Sequence, residues 1–283
     1  MSFNSVPLFN LDGQIAVVTG GGSGLGLAMA QGLEQNGATV YILGRRLELL
    51  EKAAAGASSG RIIPIQADVT VRGDLERAAD VIKERSGKVN LLVLNSGKTD
   101  GVRMPQIERG GDVAKFREQL LQQTPESWAD LYNLNVSSVF FSAAVFIELL
   151  DAANKKRTAD EPTSQIIITG SVAGYIRQKA YSFSYFVSKA AVHHLAKTLA
   201  TYFLDIDVRV NFLAPAIFPS EITQDFVTET GELPRDIIPM GRAGKLSEIA
   251  GTVVYLASKV SGFTTGLGLL IDGGSASLGA STY

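Results

Sequence analysis

At 283 residues, 46% hydrophobic and 19% charged, with a formal net charge of −2, the chain has the size and composition of one large globular α/β domain. So small a charge supplies no global basic field for nucleic acid or an anionic membrane, and neither is expected as a partner. Cysteine is absent and His193 and His194 are the sole histidines, which excludes disulfides and thiol nucleophiles and nearly excludes a histidine-rich metal site, though not a carboxylate one; no metal is assigned.

The first fourteen residues lack a basic region followed by a long apolar core, so no signal peptide is expected. The longest apolar stretch, 136–150, is interrupted by Ser137, Ser138, Ser142 and Glu148, too short and too polar to span a bilayer. A soluble, cytoplasmic protein is the expectation.

In chain order, short apolar runs alternate with helix-length segments. Strands are predicted over 15–19, 39–43, 62–66, 91–95, 165–169, 208–213 and 269–272, and helices over 25–35, 47–54, 71–86, 126–150, 184–201 and 246–257. The strand runs are nearly continuous in apolar character, as in parallel strands covered on both faces. The alternation predicts an α/β fold: a Rossmann-type, doubly wound, seven-stranded parallel sheet with right-handed crossovers, as a single domain over 1–283. Gly37 follows the first long helix where a left-handed residue ends it. Ser247 or a neighbour is expected to cap the last. Two polar segments, 98–124 and 154–163, read as surface insertions.

The first strand runs directly into Thr19-Gly20-Gly21-Gly22-Ser23-Gly24-Leu25-Gly26 and then a helix. That context turns a weak glycine pattern into a dinucleotide site rather than an ordinary turn. Glycine permits unusual backbone angles in the turn, close approach of a pyrophosphate, and tight packing of helix on sheet. Exposed N–H groups at the helix start then face the phosphates. Gly20, Gly22, Ser23, Gly24, Leu25 and Gly26 are the residues assigned to this task. The second strand ends in Gly44, followed by Arg45 and Arg46. No carboxylate stands there to take the adenosine ribose, and a guanidinium can bind a 2′-phosphate. The cofactor expected is NADP(H). The two arginines can also be read as solvated helix-start residues, and the turn holds Ser23 rather than a second basic side chain. Asp68 and Val69, after the third strand, fit the adenine; Asp68 can equally serve as a helix cap.

Tyr185 and Lys189 stand four apart at the start of a strongly helical pattern, on one helix face. A free phenol, with pKa ~10, is a poor base at neutral pH. A neighbouring ammonium favours phenolate, so Tyr185 can exchange a proton with a substrate oxygen as hydride moves. Lys189 can also hold the nicotinamide ribose. A surface helix pair is the bland alternative. Ser171, at the carboxyl end of the fifth strand, can polarise the same oxygen or serve as a turn serine.

With these marks, and with Asn95-Ser96-Gly97, Asn135, Asn211, Pro215 and the terminal Ile271-Asp272-Gly273-Gly274, the chain resembles the single-domain short-chain dehydrogenases/reductases. That group includes 3-oxoacyl carrier-protein reductases and many ketone reductases. The resemblance runs over about residues 11–274. It implies a catalytic tetrad of Asn135, Ser171, Tyr185 and Lys189, in which Asn135 holds a water that links Lys189 to solvent; a structural asparagine is the other reading. It implies that Asn95, Ser96 and Gly97 flank the adenosine side and that Pro215, Ala216, Ile217 and Ser220 meet the nicotinamide. It also implies a homodimer or homotetramer built on the long fourth and fifth helices and the last strand, where Phe140, Phe141, Phe146 and Leu195 serve either interface or core. The family's Asn-Asn-Ala-Gly is Leu94-Asn95-Ser96-Gly97 here and its Pro-Gly is Pro215-Ala216. One extra residue separates Ser171 from Tyr185, and the segment after Gly97 is longer than usual.

The expected substrate is a small-molecule carbonyl or alcohol, medium-sized and apolar or aromatic. Its pocket is assigned to 98–124, to 172–183 with Tyr175, Tyr181 and Phe183 as an aromatic wall, and to 215–239, an apolar lid carrying Phe218, Ile222, Phe226, Val227, Leu233 and Ile237. Arg103, Arg109 and Arg117 either meet an acidic group or are solvated. Two other functions compete with the reductase: an NADP-binding scaffold or non-redox cyclase in the same pocket, and a sugar-nucleotide epimerase, which the short chain beyond the seventh strand disfavours.

Overall fold

The computed structural model describes residues 5–102, 107–177, 182–223, 227 and 230–279. Seven parallel strands, β1 (Ile15–Thr19), β2 (Thr39–Gly44), β3 (Ile62–Gln66), β4 (Leu91–Leu94), β5 (Gln165–Thr169), β6 (Arg209–Pro215) and β7 (Gly268–Ile271), form one sheet in the order β3-β2-β1-β4-β5-β6-β7. Between them run α1 (Ser5–Phe9), α2 (Gly24–Gln35), α3 (Leu47–Ala55), α4 (Arg72–Ser86), α5 (Val113–Leu120), α6 (Pro125–Tyr132), α7 (Ser138–Lys156), α8 (Phe183–Tyr202) and α9 (Leu246–Ala257). The chain builds outward from β1 to β3 and then returns to place β4 on the other side of β1. Crossover direction therefore reverses between β1 and β4, and a crevice opens there at the carboxyl edge.

The apolar runs are continuous because each strand feeds two cores. Val17, Tyr41, Leu92, Ile166, Ile168 and Phe212 face α4, α7 and α8, whereas Ala16, Val18, Val40, Ile42, Val93 and Ile167 face α2, α3 and α9. Successive strand side chains point to opposite faces, so burial on both faces requires this composition.

The structure departs from the sequence expectations at several points. The single helix expected over 126–150 is α6, a π turn (Asn133–Ser137) and α7 in succession. The wide turn adds a residue to the helical path, and Ser138 Oγ donates back to the Leu134 carbonyl at 2.6 Å. α7 runs on through Lys156, so 154–156 are helix rather than excursion. Asn154 donates to the carbonyls of Ile206 and Asp207 and accepts from the Ser164 N–H. The insertion 98–124 holds α5, capped by Asp112, and it is docked: Ser184 Oγ on α8 donates to Asp100 Oδ2 at 2.6 Å. At α9 the capping position is Lys245, not Ser247; Glu248 accepts the Lys245 N–H at 2.7 Å. The described segment Pro125–Lys156 is long and apolar enough to cross a membrane, with a mean hydropathy of 1.7. Part of it faces inward: Val139, Ala143, Phe146 and Leu150 lie in the core, while Phe140 and Phe141 are exposed.

Candidate active site

At the β1–β4 reversal, Thr19 stitches the crevice floor. Its Oγ1 accepts the N–H groups of Asn95 at 2.9 Å and Ser96 at 3.1 Å, and Asn95 Nδ2 donates to the Thr19 carbonyl at 3.2 Å. Gly20 (φ +66°) and Gly24 (φ +53°) adopt left-handed backbone, which carries the chain from strand into helix within a few residues. Gly26 serves packing: a Cβ there would lie 2.2 Å from the Gly20 carbonyl oxygen and 2.5 Å from Asn95 Nδ2. Gly21, to which the sequence reading gave no task, is held by the same logic, since its Cβ would lie 2.6 Å from Ile42 Cγ2. Backbone cannot step aside cheaply, so Gly26→Ala is expected to cost about 1–3 kcal/mol and to weaken dinucleotide binding. Denaturant midpoints and NADPH titration of the variant check both effects.

The groove above this turn has a volume of about 550 Å³, the size of a cofactor site. Gly20, Gly22, Ser23, Gly24 and Leu25 line it, as do Arg45, Arg46, Asp68, Val69, Asn95, Ser96 and Gly97. At the other end it is lined by Ser171, Tyr185, Lys189, Pro215, Ala216 and Ser220. Gly26 lies beneath it. Ile217, assigned to the cofactor, instead lines a second cavity on the far side of its loop, with Met240 and Leu270. Arg45 is exposed at the rim, whereas Arg46 reaches across the groove to Glu221 at 2.8 Å. Asp68 does not cap α4, whose capping position is Val71; its Oδ1 accepts from the N–H and Oγ1 of Thr70 at 2.9 and 2.6 Å.

The catalytic end is assembled by α8. Its N-terminal Ser182 accepts the Tyr185 N–H at 3.2 Å, fixing the first turn. One turn later Lys189 Nζ donates to the Thr169 carbonyl at 3.2 Å and stands 5.8 Å from the centre of the Tyr185 ring. Lys189 is buried, and burial lowers its pKa from 10.5 to about 8, because an ammonium loses hydration there. Ser171 Oγ accepts the Ala173 N–H at 3.1 Å, which leaves the hydroxyl hydrogen to donate. Asn135, 2% exposed in the π turn, spends both amide hydrogens on protein: Nδ2 donates to the Lys98 carbonyl at 3.0 Å and to Ser188 Oγ at 3.1 Å. Its Oδ1 accepts the Lys98 N–H at 3.0 Å. The side chain thus clamps the β4 loop to α8. Gly97 lies against Asn135 and Lys189 alike, since a Cβ there would be 3.3 Å from Oδ1 and 3.6 Å from Nζ.

The substrate wall differs from expectation. Tyr175 packs at a tilt against His193 and stacks with Phe212 beneath the Ser171 loop, and Phe183 is 54% exposed; neither lines the groove. Phe218 is core rather than lid, 2% exposed and seated where a Gly244 Cβ would fall 2.3 Å from its ring. Of the expected walls, Lys98 and Thr99 from 98–124 and Glu221 and Ile222 from 215–239 do line the groove, and Leu134, from outside them, joins them. Arg109 and Arg117 are exposed and outside it. Arg103, Tyr181 and Phe226 lie outside the described residues. His193, one further turn along α8, was not singled out by the sequence; its spacing of four from Lys189 was the available signal.

Comparison with known proteins finds relatives over nearly the whole chain. The family model described as enoyl-(acyl carrier protein) reductase matches residues 20–276. The chain is 39% identical to the short-chain dehydrogenase/reductase VdtF of Byssochlamys spectabilis, over 98% of this chain and 97% of that one. It is 33% identical to the rhamnolipids biosynthesis 3-oxoacyl-[acyl-carrier-protein] reductase of Pseudomonas aeruginosa, over 95% and 98%. Among solved structures, the Pseudomonas aeruginosa RhlG/NADP active-site complex superposes with a TM-score of 0.81 at 33% identity, covering 95% of this chain and 99% of that one.

Proposed function

Because this chain belongs to the short-chain dehydrogenase/reductase family of oxidoreductases, we propose that it uses NADP(H) to reduce a ketone to a secondary alcohol, or to run the reverse reaction, on one catalytic domain over 1–283. The observation that carries the reading is the convergence of Ser171, Tyr185 and Lys189 on the groove that begins at the glycine turn. The glycine turn would hold the pyrophosphate, Arg45 the 2′-phosphate, Asp68 and Val69 the adenine, and Lys189 the nicotinamide ribose. Bound there, the reduced nicotinamide supplies the hydride. Ser171 donates a hydrogen bond to the carbonyl oxygen. Tyr185 delivers the proton as the carbon–oxygen π bond breaks, and the Lys189 cation favours the phenolate that remains.

The absence of a carboxylate at Gly44 and the exposed Arg45 favour NADP(H) over NAD(H), and the likeness to the Pseudomonas aeruginosa RhlG/NADP complex supports it. Groove residues Leu134 and Ile222 suit a medium-sized apolar or aromatic biosynthetic substrate. Phe140 and Phe141, 47% and 44% exposed on α7, and Leu270, 42% exposed on β7, support a homodimer or homotetramer.

The test is cofactor consumption with a panel of ketones and alcohols, NADPH against NADH. Arg45→Ala is expected to raise KM for NADPH about tenfold, the loss of one charge-assisted hydrogen bond, with KM for NADH unchanged. Preference of the unaltered protein for NADH contradicts the cofactor reading. Tight NADPH binding without turnover on any panel member favours the scaffold or cyclase.

A further inference from the structure

We propose that His193 is a positioning residue that holds Ser171 in register with Tyr185 and Lys189; the proposal rests on the reductase reading of that site. His193 lies one turn beyond Lys189 on α8 and is 4% exposed. Its Nε2 accepts the backbone N–H of Ser171 at 3.3 Å, so the ring hydrogen sits on Nδ1. Nδ1 is buried and has no hydrogen-bond partner among the described residues. Leaving a buried donor unpaired is costly and rare in native structures, so packing alone does not account for a histidine here.

The slot is built for the ring. Ser171 is flanked by Gly170 and Gly174, and a Cβ on either would lie 2.3 Å or 2.5 Å from an atom of the imidazole. Tyr175 and Phe212 hold the ring at centroid distances of 4.8 Å and 4.5 Å. Burial first, then the charges of Lys189 and Lys197, lowers the histidine pKa to about 3. The ring therefore stays neutral and remains an acceptor at neutral pH. Helix α8 thus places three side chains four residues apart: the proton donor, the ammonium, and a fixed acceptor that ties the Ser171 loop to the same helix.

Two measurements test this. His193→Leu, which fills the slot without an acceptor, is expected to lower kcat about 10- to 100-fold, the rate equivalent of an unpaired buried N–H, with KM for NADPH within about twofold. His193→Gln, whose amide oxygen can reach the Nε2 position, is expected to recover most of that loss. A folded His193→Leu with undiminished kcat overturns the proposal, as does failure of a folded His193→Gln to recover any. Nitrogen-15 NMR of the unaltered, cofactor-free protein needs neither a variant nor turnover. It is expected to show one Nδ1–H tautomer for His193 across about pH 5–8, and titration or an Nε2–H tautomer in that window overturns the proposal. If the unaltered protein reduces no ketone, the reductase reading fails on its own, while the NMR result still decides the His193–Ser171 bond.

Discussion

Tyr185→Phe is expected to lower reductase turnover about 10³-fold, within the range contributed by a positioned general acid, while NADPH affinity changes little. The substitution removes one oxygen from the side chain that α8 presents to the groove, and leaves in place the Ser182 cap that fixes its backbone. Ser171 can still polarise a carbonyl and Lys189 can still hold a ribose, so what disappears is the proton. Stopped-flow turnover with an accepted ketone, beside fluorescence titration of NADPH, separates the two effects. A variant that keeps more than about a tenth of normal turnover removes Tyr185 from the chemistry. One that loses NADPH affinity in proportion makes it a binding residue instead.

Lys189→Met is expected to abolish turnover and yet to stabilise the cofactor-free protein. Burial lowers the Lys189 pKa to about 8, so the folded state carries an ammonium at neutral pH that the unfolded chain would rather keep. The cost is fully present below about pH 8. It declines as pH rises from the folded value towards the unfolded one near 10.5, because over that interval the unfolded state binds more protons. The displacement corresponds to about 3 kcal/mol. The lost hydrogen bond to Thr169 returns about 1, leaving the Met variant about 2 kcal/mol more stable at pH 7. Urea unfolding of both proteins at neutral and alkaline pH should show that advantage shrinking as pH rises. A Met variant less stable than the unaltered protein at neutral pH contradicts this account. The lysine is, on this view, held against stability for the sake of the site.

The strands and the glycine turn at one end of the groove were legible because they depend on local pattern. Continuous apolar runs state burial on both faces, and the glycine turn states its strand-to-helix geometry. Features set by distant neighbours were not legible. Nothing in 126–150 distinguishes a straight helix from one with a π turn, since the apolar spacing is nearly the same; the turn is recognised from Asn135 meeting Lys98 and Ser188. Phe218 reads as a lid residue by composition, but Gly244 opens a seat for it in the core. Tyr175 follows Ser171 in sequence and turns away from the groove because His193 and Phe212 pack against it. Ile217 sits in the expected loop but lines the second cavity rather than the groove. His193 stands four from Lys189 in the sequence, but its meaning lies in two glycines and a backbone N–H contributed by another segment.

The most direct test of the central claim is a single-turnover reaction with NADPH deuterated at the transferable position and a ketone the protein accepts, followed by mass spectrometry of the alcohol. Hydride transfer in the groove predicts one deuterium on the carbinol carbon. An alcohol, or any other product, formed from bound cofactor and ketone without that deuterium contradicts the claim.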